Sequence, residues 1–119
     1  YATVDHSSSD LFDAAADEAI KKLDAFKPQE ISNTLWSYAT VDHSSPDLFH
    51  GAAREVIKRL DLFTAQALSN TLWSYATADH SSPVLFHGAA PDVIKRLDSF
   101  TAQAMSNTLW SYATVGHSS

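Results

Sequence analysis

Between Ala65 and Thr77 the apolar positions fall three and four residues apart. At about 100° per residue, Leu68, Thr71, Leu72, Tyr75 and Ala76 share one face of a helix, and Gln66, Asn70, Ser74 and Thr77 share the opposite one. Thr64 stands where an N-cap hydroxyl accepts a bond from an unpaired first-turn amide. A second pattern runs from Pro46 to Asp61: Leu48, Phe49, Ala52, Ala53, Val56, Ile57 and Leu60 form a broad apolar stripe, with Asp47, Arg54, Lys58 and Asp61 on the far side. Ser45 followed by Pro46 is a helix start, because proline at the first helical position loses no bond the helix would have made. Short connectors, Val41-Asp42-His43-Ser44 and Leu62-Phe63, leave room only for antiparallel neighbours.

Both patterns recur every 37 residues. Tyr1, Tyr38, Tyr75 and Tyr112 each open the segment YAT, and SNTLWSYAT begins at Ser32, Ser69 and Ser106. Units 38–74 and 75–111 differ only at Val41/Ala78, Asp47/Val84, Arg54/Pro91, Glu55/Asp92, Leu62/Ser99 and Leu68/Met105. The spacing predicts helices over 28–40, 65–77 and 102–114, alternating with a second set over 9–24, 46–61 and 83–98. Pro91 falls inside the last of these, where a missing donor and a clash with the carbonyl four residues back predict a kink over 87–91 within a helix that continues. One hairpin cannot bury both sides of its apolar surface, whereas stacked copies can. The expected fold is therefore all-α: a right-handed-type α-solenoid of antiparallel hairpins. It forms one array over 1–119, with units 1–37, 38–74 and 75–111 and a partial unit 112–119. The array is expected to be an excerpt of a longer one, with further repeats or neighbouring chains covering both ends.

Composition narrows what such an array does. Hydrophobic residues make up 45% and charged residues 18%, which suits a packed core and not a disordered tail. No apolar run approaches membrane-spanning length. Without cysteine, disulfides and thiolate metal sites are excluded. The net charge is −6, and most of the excess sits in the first unit, where seven carboxylates oppose three lysines. No basic stripe of the kind that tracks phosphates is visible.

The string LSNTLWSYA, then a short polar connector, then SSPDLF and a helix ending in IKRLDLF, resembles the octotricopeptide and heptatricopeptide repeats, helical-hairpin repeats of this length. Leu68, Asn70, Leu72, Trp73 and Ala76 carry the likeness in the first helix, and Pro46, Leu48 and Leu60 in the second; it extends over the whole chain. The resemblance implies selective binding of single-stranded RNA in organellar gene expression, in its processing, stability or translation, and hence an intracellular place in mitochondrion or plastid. A scaffold for protein partners is the alternative, which the acidity and the general use of helical arrays favour.

The candidate contact residues are the uncharged stripe Gln29, Asn33 and Ser37, with copies Gln66, Asn70, Ser74 and Gln103, Asn107, Ser111. Amides offer donors and acceptors that suit base edges, and stacking would align the copies as parallel rungs. The alternative is that Asn and Ser pack between successive hairpins, bonding each other or the preceding turn. Trp36, Trp73 and Trp110 read as packing residues on the edge of the apolar face, with base stacking as the lesser alternative. Asp42-His43-Ser44 has the residue types of a catalytic triad. Triads, however, converge from distant positions around a nucleophile and an oxyanion site, so no enzyme is expected. His43 with His50, and His80 with His87, lack a third ligand for a metal, and no cofactor is expected. Lys58-Arg59 and Lys95-Arg96 read as a solvated face, with Glu55 four residues before Arg59 as a surface ion pair.

Overall fold

The structure, a computed structural model, describes residues 6–43 and 45–118. Six α-helices run through them: α1 (His6–Lys22), α2 (Pro28–Thr40), α3 (Pro46–Lys58), α4 (Ala65–Thr77), α5 (Pro83–Lys95) and α6 (Ala102–Ser118). There is no strand among the described residues, and the protein is all-α. Helices α2 and α4 have the bounds that periodicity and caps assign to them. Thr64 Oγ1 accepts from Ala67 N at 3.0 Å, and Thr101 and Ser82 cap α6 and α5 in the same way. Ser45 makes no such side-chain bond, so Pro46 alone marks that start.

The odd-numbered helices stop short of their expected ends. Each gives way to a 3-10 turn, at Leu23–Ala25, Leu60–Leu62 and Leu97–Ser99. A single turn of either helix keeps Leu60 pointing inward, so hydrophobic spacing does not separate the two. The tighter turn redirects the residue after it. Phe63, expected in a connector, is driven into the core at 1% exposure. Phe100 is buried in the same place one unit on.

Helices α2, α4 and α6 lie side by side in one row, and α1, α3 and α5 form a second row against it. The core lies between the rows, built from Ile31, Leu35, Leu48, Phe49, Val56, Phe63, Leu68, Leu72, Tyr75 and Leu85. Helices α3 and α5 approach closely where a Cβ on Gly88 would stand 2.7 Å from Ile57 Cδ1. Across Pro91, α5 runs unbroken over the same thirteen-residue span as α3, with the proline on its exposed side.

Three bonds recur with the repeat. Tyr38, Tyr75 and Tyr112 donate their hydroxyls to the carbonyls of Phe12, Phe49 and Phe86, at 2.6, 2.5 and 2.6 Å, and each tyrosine meets the same phenylalanine edge-on. Ser32 donates to Ala67 O and Ser69 to Ala104 O, joining neighbouring helices of the first row. Arg59 donates to Phe26 O and Leu23 O, and Arg96 to Phe63 O and Leu60 O. Each guanidinium so closes the carbonyl end of the preceding 3-10 turn, while its Nε pairs with Glu55 or Asp92. These arginines are half-buried clamps between units and not the solvated charges that sequence suggests.

The hairpin turns depend on two aspartates. Asp42 and Asp79 sit at φ 56° and 57°, the left-handed region. Around them His43 N bonds Tyr38 O while Asp42 N bonds Ala39 O, and His80 and Asp79 repeat this with Tyr75 and Ala76. This is the paired closure that ends a helix when one residue turns left-handed. Gly116, the third copy of that position, is not left-handed, and α6 runs four residues past its expected end.

Candidate functional site

On the outer side of the first row, each helix presents the same three groups. In α2, Gln29 Nε2 donates to Asn33 Oδ1 at 3.0 Å, and in α4, Gln66 donates to Asn70 at 2.9 Å. The i, i+4 spacing places the two amides over one another, and the bond fixes both while leaving a Gln oxygen and an Asn NH2 facing outward. In α6, Gln103 is exposed and Asn107 half-buried. The serines take a different part. Ser37, Ser74 and Ser111 each return a bond to the carbonyl four residues back, of Asn33, Asn70 and Asn107. Ser74 and Ser111 are fully buried against the preceding helix of the row; Ser37 is exposed. In α4 and α6 the serine is thus spent inside the fold, while in α2 Ser37 stays exposed beside the Gln–Asn pair.

The third outward group is tryptophan. Trp36 and Trp110 are 46% and 48% exposed, and Trp73 is half-buried between them in sequence order. Trp36 and Trp73 stack with centroids 6.3 Å apart and planes 28° from parallel. The rings thus lie at the edge of the apolar face, and the Trp36–Trp73 stack joins neighbouring units. Trp36 follows Gln29 by seven residues and Asn33 by three, spacings that put all three on one helical face. That arithmetic was available in the sequence, but indole's bulk argued for burial. Neither α4 nor α6 contains Asp, Glu, Lys or Arg, and Glu30 is the one such residue in α2. The face is aromatic, amide-rich and uncharged.

The histidines sit elsewhere, at the hairpin turns. His43 and His80 each lie against the Phe–Tyr pair of their turn. His43 Nε2 pairs with Asp13 Oδ1 at 2.8 Å, not with Asp42 or His50. In the next unit position 13 becomes His50, which together with burial lowers the pKa of His80, burial being the larger cause. Ser44, the third member of the triad-like string, lies outside the described residues. No group of three His, Asp or Glu is placed to hold a metal among the described residues. A cleft of about 310 Å³ opens over Phe86 and Tyr112, bounded by Ser82, Pro83 and Val115. One unit earlier the His80 ring covers the equivalent Phe49–Tyr75 pair.

No helix is long and apolar enough to cross a membrane among the described residues. No protein-family model, no curated protein and no solved structure matches this chain.

Proposed function

We propose that the protein is a right-handed-type α-solenoid of 37-residue hairpins that binds single-stranded RNA along the outer face of α2, α4 and α6. The observation that carries this reading is the stacked pair of exposed Trp36 and half-buried Trp73, flanked by outward amides. Every base has a π-face, so an exposed indole row is a platform for successive bases. The amides supply the polar edge contacts that a stack alone lacks. The resemblance to octotricopeptide and heptatricopeptide repeats supports the same ligand and an organellar setting.

The rungs are identical in all three copies, so the preferred RNA is a tract with one base repeated and not a mixed word. The test is tryptophan fluorescence titrated with homopolymeric and scrambled oligonucleotides at moderate salt. Trp73→Ala weakens binding at least tenfold, on the scale of about 1–3 kcal/mol per stacked base. Changing Asn33, Asn70 and Asn107 together to Ala removes base preference with helicity by circular dichroism unchanged. Because the face is uncharged, affinity falls only shallowly with salt. Equal binding to scrambled and homopolymeric RNA would remove the base-reading part, and no binding at all would remove the RNA reading.

The absence of charge favours a second reading, an extended protein segment. Proline-rich peptides dock on aromatic-lined faces, and amides hydrogen-bond their free carbonyls. The same titration with a polyproline-type peptide separates the two.

A further inference from the structure

The repeat allows each surface residue to be compared with its own copies inside the protein. Leu35 and Leu72 are 1% and 0% exposed because the next helix of the row covers them; Leu109, the third copy, is 64% exposed. Ser32 and Ser69 are fully buried with hydroxyls bonded to Ala67 O and Ala104 O, whereas Ser106 is exposed. Ile57 is half-buried against Gly88, but Ile94 is 73% exposed. The outer side of α5 and α6 therefore carries the same groups that units one and two already use to receive a following hairpin.

The contribution of a following hairpin is also on view. It supplies an arginine that closes the preceding 3-10 turn, as Arg59 and Arg96 do. It supplies an alanine at the crossing, Ala67 or Ala104, each 1% exposed, whose carbonyl takes the serine bond across a close approach of helices. The first unit differs at these positions. Lys22 stands in place of the arginine and pairs with Glu18 in its own helix. Glu30 stands in place of the alanine, with its carboxylate bonded back to Lys27 N at 2.8 Å, and Lys27 replaces the capping threonine. Leu11 keeps the apolar character of its copies and is 64% exposed. The directional contacts, however, are missing: a lysine ammonium lacks the rigid planar fork that spans two carbonyls while a third donor holds a carboxylate, and a glutamate at the crossing holds the helices apart and buries a charge.

We propose that the face formed by Ile94, Leu97, Ser106 and Leu109 is a docking site for one further helical hairpin of this same type. The docking hairpin carries arginine at the clamp and alanine at the crossing, and the first unit's own outer face is barred from that role by Lys22 and Glu30. Of the two outer faces, the one on α5 and α6 thus receives and the one on the first unit is closed, so copies of this chain do not join head to tail through them. An array with both ends open would polymerise without limit, as heterologous contacts that do not close a ring do.

The test converts the closed end into a docking end. A ligand chain carries Lys22→Arg, Lys27→Thr and Glu30→Ala, with Leu109→Asp added so that it cannot polymerise. Mixed with the unaltered protein and followed by sedimentation velocity, it forms a one-to-one complex, which Leu109→Asp in the receiver abolishes. The ligand without Leu109→Asp forms concentration-dependent chains. Circular dichroism confirms folding; if the triple change unfolds, Glu30→Ala alone with Leu109→Asp serves as ligand, binding the receiver at least tenfold more tightly than the Leu109→Asp chain does. Absence of any complex with a folded ligand overturns the receiving face. Head-to-tail chains formed by the unaltered protein overturn the closed end.

Discussion

The arginine clamp gives a comparison in which the molecule is its own control. Arg96 donates to Phe63 O at 2.6 Å and to Leu60 O at 3.3 Å, and its Nε lies 2.7 Å from Asp92 Oδ2. Methionine at 96 keeps the apolar stem and removes all three bonds. A hydrogen bond from a charged donor contributes about 1.5–3 kcal/mol, but the side chain is 24% exposed and water recovers part of each lost bond. The net loss is therefore about 2–3 kcal/mol, including the carboxylate of Asp92 left without its partner. For a chain of this size that lowers the thermal midpoint by about 10 °C. Arg59→Met removes the two equivalent carbonyl bonds and the Glu55 ion pair one unit earlier, at 19% exposure, and should cost nearly as much. Lys22→Met should leave the midpoint where it was, since Lys22 touches only Glu18 on an exposed surface. Thermal unfolding of the three variants by circular dichroism, with Asp92→Asn completing a double-mutant cycle, measures the coupling. If Arg59→Met and Arg96→Met shift the midpoint no more than Lys22→Met, the clamp is ornamental and units are held by apolar contact alone.

Three further outcomes rest on the same geometry. Burial raises the phenol of Tyr75 out of the titratable range and that of Tyr112 to about 12, against an unperturbed 10.0, and Tyr38 is raised by burial, then Asp13 and Asp17. Unfolding releases these protons, so the stability held by the neutral phenols is intact below pH 10 and lost as pH rises above it. Denaturant midpoints should therefore fall between about pH 10 and 12, and Tyr75→Phe, about 1 kcal/mol weaker at neutral pH, should fall less steeply. Asp79→Gly should stabilise by about 0.5–1 kcal/mol, read as a higher denaturant midpoint, by relieving a left-handed side chain, and Asp79→Val should lower the midpoint. Pro91→Arg restores the residue of the second unit on an exposed helical position and should stabilise by as much as about 3 kcal/mol in urea titration; a loss of stability would show that the proline fits without strain.

How much of the fold was legible in advance depends on what each signal measures. Period, caps and proline placement are local, and they set α2 and α4 to the residue, because the chemistry that starts and stops those helices lies within one turn of their ends. The switch from α-helix to 3-10 turn after Lys58 escaped, because Leu60 faces inward in either form and only the burial of Phe63 tells them apart. The Gln–Asn stripe was legible as a helical face; that its serine turns inward depends on which neighbour a helix packs against, which spacing on one helix cannot say.

The exposure of Trp36 and Trp110 and the capture of Arg59 and Arg96 belong to the tertiary structure. An indole's size favours burial and a guanidinium's charge favours water, and both averages fail where a row of helices closes over one face and leaves the next open. By itself the sequence determined that similar 37-residue units fold into similar pairs of helices. Packing decided that Leu72 is covered and Leu109 is not, since burial is a relation between a residue and what lies beyond it, and three copies of one sequence meet three different neighbours.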